Sequence, residues 1–143
     1  MMIIRNLEQR NSSGVRFLSF NLVDELGLPF QDGVLILQFH RAARCKFCND
    51  MESLARETIN LHFADELREK NIAFRTVNME LPKYDLMRTK FNLFTSTMVL
   101  IQLTEGNESR WKIISDAWNF TEKKEEFIQM FRAELKEFLV GIK

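Results

Sequence analysis

The only two cysteines of this 143-residue chain stand three positions apart, in Cys45-Lys46-Phe47-Cys48. Two cysteines cannot scaffold a fold of this size with disulfides, and they cannot complete a four-ligand zinc site alone. Their value must lie in thiol chemistry or in nothing beyond packing. Three cations, Arg41, Arg44 and Lys46, flank them, and the first acid to follow is Asp50. If a helix starts near Cys45, that sulfur sits at the positive end of the helix dipole, and Cys48 falls one turn inside, within reach of it. Dipole and cations both favour a thiolate over a thiol. An unperturbed cysteine, with a pKa of ~8.5, is only ~3% ionised at pH 7, whereas lowering that value by one unit leaves roughly a quarter ionised. This chemistry makes Cys45 the attacking sulfur and Cys48 the resolver of a mixed disulfide.

Two other uses of the thiols compete. Cysteines three apart on a helix can simply pack, although a position between a buried strand and a helix is the context of a redox motif. In the second, a soft metal or metalloid such as Zn, Cu(I) or As(III) sits on the two thiolates. His40 and His62 are the only histidines, and their spacing around the cysteines matches no compact zinc module. His62 lies on the stripe of a following helix, where a packed or hydrogen-bonded place at the core edge is expected. His40 ends a strand five residues before Cys45. It is either a proton acceptor or charge partner for the sulfur, or a surface loop histidine.

The elements that must position these residues can be read from periodicity. Val34-Leu35-Ile36-Leu37-Gln38-Phe39 is a near-continuous apolar run, which suits a strand covered on both faces. From Asn49 to about Lys70 the spacing is helical, with Met51, Leu54, Ala55, Thr58, Ile59 and His62 on one stripe and Asn71 as the stop. Ile72 to Met79 is extended again. Pro82 opens a short helix, Met98 to Leu103 is a second buried strand, and Glu105-Gly106-Asn107-Glu108 turns into a returning strand from Arg110 to Ile114. Thr121 to Val140 is an amphipathic helix with Phe127, Phe131, Leu135, Phe138 and Leu139 on its apolar side. Residues 1–32 read as an N-terminal extension carrying an additional strand or helix, and residues 33–143 as the domain. The expected class is α/β, a mixed central sheet flanked by helices on both faces.

Composition sets the outer limits. Hydrophobic residues make up 45% and charged residues 28% of the chain, an ordinary globular balance, and 13 phenylalanines supply volume for a core. Lys plus Arg and Asp plus Glu both count 20. That equality argues against a chain-wide footprint for nucleic acid. Charge appears by Arg5 and no apolar run approaches the ~20 residues of a membrane span, so neither a signal peptide nor a membrane partner is expected. The expected compartment is the cytoplasm.

The order strand, helix, strand, helix, strand, strand, helix, with a CxxC at the start of the first long helix, resembles the thioredoxin-like superfamily over roughly residues 33–140. The stretch Phe39-His40-Arg41-Ala42-Ala43-Arg44-Cys45-Lys46-Phe47-Cys48, together with Arg110-Trp111-Lys112 and Trp118, is similar to small bacterial thioredoxin-like proteins labelled as ArsF-type nitrophenyl nitroreductase subunits. The resemblance implies a thiol–disulfide oxidoreductase with no organic cofactor, acting on a protein or small-molecule disulfide or dithiol. It also implies departures. Arg44 stands where thioredoxins carry a Trp, Gln38 replaces their buried acid, and the place of their cis-proline falls near Thr97. Thr97 and Trp111 are thereby candidates for a substrate or partner surface. For Trp111 the alternation with Ile113 also suits one face of a strand.

Overall fold

The computed structural model describes residues 8–10, 21–43, 46–93, 96–114 and 120–140. Its strands are β1 (Glu8–Arg10), β2 (Gly33–His40), β3 (Ile72–Asn78), β4 (Thr97–Thr104) and β5 (Asn107–Ile114). Its helices are α1 (Leu22–Leu26), α2 (Lys46–His62), α3 (Ala64–Arg68), α4 (Asp85–Lys90) and α5 (Lys124–Leu139). The strands form one sheet in the order β1-β5-β4-β2-β3. β2 and β3 run parallel across the α2–α3 crossover, while β4 is antiparallel to β2 and to β5.

The apolar run of β2 follows from burial on both sides. Leu35, Leu37 and Phe39 point into a core shared with Leu22 and Val23 of α1 and Met87 of α4. Val34 and Ile36 point the other way, into a core shared with Met51, Ala55 and Ile59 of α2 and with Phe127, Phe131, Leu135 and Phe138 of α5. The class is therefore a mixed α/β sheet with helices on both faces, and no helix among the described residues is long and apolar enough to cross a membrane.

Several local expectations shift. The single helix expected from Asn49 to Lys70 is two helices, because Phe63 (φ −132°, ψ 29°) leaves the helical region and buries its ring in the α2–α5 core. The stop is Lys70 rather than Asn71. Lys70 takes the left-handed φ of 62°, and the amides of Lys70 and Asn71 close back onto Leu67 and Glu66. The hairpin turn narrows to Glu105-Gly106, both at positive φ (53° and 82°), the two-residue geometry that matches strand twist. Within residues 1–32, β1 adds a short antiparallel strand beside β5, and Leu22 of α1 is completely buried in the first core. The Arg75 guanidinium of β3 donates at 2.9 Å to the carbonyls of Leu26 and Gly27, closing the end of α1 onto the sheet. Val15 and Leu18 lie outside the described residues.

Candidate functional site

The site is assembled where the C-terminal end of β2, the first turn of α2 and the start of β4 meet. α2 begins at Lys46, directly after the Arg44-Cys45 step, and its first turn contains no acidic residue. Cys48 is its third residue and is 3% exposed. The alternation of β2 puts Gln38 on the same side as Val34 and Ile36, facing α2. Gln38 is completely buried, and its Nε2 donates to the backbone carbonyl of Cys48 at 2.9 Å. A carbonyl can only accept, so the amide orientation is fixed by this bond. Gln38 Oε1 is left buried without a hydrogen-bond partner.

The Cys48 side chain meets β4 rather than β2. Its Sγ lies 2.7 Å from Oγ of Ser96, a residue 1% exposed that immediately precedes β4. Either atom can donate. Thr97, the residue singled out from the sequence, pairs in register with Phe39 and shares the strand face of Val99, away from α2. A one-residue step along a strand reverses the side chain, so the contact falls to Ser96. The signal for it was present: Ser96 stands two residues before the buried Met98, on the same face. Among the described residues no peptide bond is cis.

The surrounding charges are more balanced than the three flanking cations suggest. Lys46 Nζ reaches Asp50 Oδ2 one turn on, at 3.0 Å. Hydrogen bonding to this carboxylate, and then its charge, raise the Lys46 pKa above the ordinary lysine value. Arg41 Nε lies 3.2 Å from Glu80 Oε1, and the Ala42 amide donates to the same oxygen at 3.3 Å. Two of the three cations expected to stabilise a thiolate are thus engaged by carboxylates. Arg44 and Cys45, and with them the attacking-sulfur assignment, lie outside the described residues, as does Trp118.

The two histidines separate. His40 Nδ1 lies 2.8 Å from the Arg41 carbonyl, which can only accept, so Nδ1 carries the hydrogen of this bond. His62 ends α2 and is exposed, which corrects the packed core-edge place expected for it. It lies at the opposite end of the helix from Cys48. Among the described residues no three His, Cys, Asp or Glu side chains come together as a metal-holding group.

Trp111 is not a surface residue. It is 4% exposed and packs edge-on against Phe91 at 4.6 Å, in the core on the α1–α4 side of the sheet. Its bulk fills the gap between β5 and the end of α4, and this burial removes it from the partner surface. Phe47, between the two cysteines, is by contrast 40% exposed. No protein-family model and no curated protein matches the chain.

Proposed function

We propose that the chain is a thioredoxin-like thiol–disulfide oxidoreductase that works through Cys45 and Cys48. The observation that carries this reading is the placing of Cys48. Its sulfur is buried in the first turn of the helix that follows β2, against Ser96, while Gln38 holds its carbonyl. A resolving cysteine needs this kind of position, shielded from solvent reagents and held by its neighbours in the fold. Cys45 attacks a partner disulfide, and Cys48 then displaces the partner from the mixed disulfide. Reducing equivalents come from another dithiol or a reductase. The strand order, with β2 and β3 parallel, β4 and β5 antiparallel and helices on both faces, agrees with the thioredoxin-like assignment.

Mild oxidation is expected to remove two hydrogens from the intact protein, and dithiol treatment to restore them. Cys48→Ser is expected to accumulate mixed disulfides with a small disulfide, and Cys45→Ser is not. Cys45 alkylation should reach half its maximal rate below the ordinary cysteine pKa of about 8.5. An unchanged mass after oxidation, or half-reaction at or above that pH, overturns the proposal.

A further inference from the structure

The contact between Cys48 and Ser96 joins a thiol to a hydroxyl in a site where both residues are buried. A hydroxyl has one donor and two acceptor positions and turns freely between them. It accepts from an S–H and, after rotation, donates to a thiolate. A disulfide sulfur has neither a proton to give nor a charge to attract one. The same contact is therefore weaker once Cys48 is oxidised.

From this geometry we infer that Ser96 is a positioning residue for the resolving sulfur, stabilising Cys48 in the dithiol form and so raising the reduction potential of the Cys45–Cys48 couple. The inference rests on the thiol–disulfide reading above. In the closing step the Cys48 sulfur attacks the Cys45 sulfur of the mixed disulfide. The Cys45–Cys48 bond forms, and the bond between Cys45 and the partner sulfur breaks. The electron pair leaves on the partner sulfur, which takes up the proton that Cys48 gives up. Ser96 faces the sulfur throughout and turns its hydrogen towards the charge that develops on it. Gln38 holds the Cys48 backbone carbonyl, and Ser96 meets its sulfur from the β4 side.

The test is the equilibrium of the full chain with a glutathione redox buffer. Wild type, Ser96→Ala and Ser96→Thr are compared, with far-UV circular dichroism to show that each is folded. Ser96→Ala is expected to shift the equilibrium about tenfold towards the disulfide, a fall in potential of about 30 mV for a two-electron couple. Ser96→Thr, which keeps the hydroxyl, is expected to restore the wild-type value. An unchanged or raised potential in Ser96→Ala overturns the inference, as does a shift that Ser96→Thr leaves in place, since packing would then be the cause. If Ser96→Ala fails to fold, the S–H stretching band of Cys48 in Cys45→Ser protein decides. A band lowered by hydrogen bonding supports the inference and one at the unbonded position overturns it. A wild-type protein that forms no Cys45–Cys48 disulfide refutes the oxidoreductase reading itself, whereas a reversible disulfide of unaltered potential in Ser96→Ala refutes only the role of Ser96.

Discussion

Gln38 Nε2 donates to the carbonyl of Cys48 at 2.9 Å and thereby ties the middle of the sheet to the first turn of α2. The same side chain leaves its Oε1 buried without a partner. A buried polar atom in that state costs about 1–3 kcal/mol, which offsets the roughly 1 kcal/mol that the bond contributes. For stability alone, an apolar residue of similar volume would serve as well.

Gln38→Leu is therefore expected to lie within about 1 kcal/mol of wild type in urea denaturation, because the lost bond and the removed orphan atom compensate. Gln38→Ala, which opens a cavity, is expected to lose about 2–4 kcal/mol. Closure of the Cys45–Cys48 disulfide should slow by about an order of magnitude in Gln38→Leu, since α2 is no longer pinned where its carbonyl meets β2. A Leu variant that is both several kcal/mol less stable and unchanged in closure rate would make Gln38 a purely structural residue.

The ion pairs around the motif give a second expectation. Asp50 holds Lys46 and Glu80 holds Arg41, so both carboxylates draw positive charge away from the first turn of α2. Asp50→Asn and Glu80→Gln release it. Each is expected to speed Cys45 alkylation at neutral pH about two- to threefold at low ionic strength, with the gain fading as salt approaches 1 M. The pairs are exposed, so little change in thermal stability should accompany the rate effect. A rate indifferent to both substitutions and to salt would remove electrostatic activation from the mechanism.

Strand positions were legible from the sequence because β2 and β4 are near-continuous apolar runs, as burial on both faces requires. The stripes of α2 and α5 were legible because each helix buries one face at helical spacing. The break at Phe63 was not, because a phenylalanine continues a helical stripe and only its φ of −132° shows the chain leaving the helix. The motif itself was plain, since two cysteines three apart need no structure to be noticed. Its environment was not. That Asp50 and Glu80 neutralise Lys46 and Arg41 depends on one helical turn and on a loop thirty-eight or more positions away. The exchange of Thr97 for Ser96 turns on strand parity, which a one-residue uncertainty in register erases. Trp111 drew attention through the Arg110-Trp111-Lys112 resemblance, but a shared motif says nothing of burial, and Phe91 rather than a partner receives its ring.

Trp111→Ala is expected to cost about 3–5 kcal/mol, the range for emptying a large aromatic site in a core. A double-mutant cycle of Trp111→Phe with Phe91→Leu should yield a coupling of about 0.5–1.5 kcal/mol, as expected for an edge-on ring pair. The exchange rate of Trp111→Phe with a small disulfide should match wild type. Lost exchange with intact stability would return Trp111 to the functional surface.

Tyr84 supplies the pH dependence. It closes the short 3-10 turn Pro82–Tyr84, and its phenol is pushed above the ordinary tyrosine value. Burial is the main cause; the charge of Lys83 opposes it and that of Glu25 adds to it. The folded chain therefore keeps the phenolic proton to higher pH than the unfolded chain does. Below pH ~10 both states are protonated and the group's full stabilisation is present. As pH rises from there towards the folded value, only the unfolded state releases its proton, so stability falls, at a limiting slope of about 1.4 kcal/mol per pH unit. Lys83, whose own pKa is raised first by its hydrogen bond to Glu25, loses stabilisation in the same direction, so wild type alone cannot separate the two. Tyr84→Phe can. Its urea-denaturation free energy should run parallel to wild type up to pH ~9.5 and decline less steeply above pH ~10, where Lys83 still titrates but the phenol is gone. Curves that stay parallel through pH 11.5 would mean that the phenol titrates alike in both states.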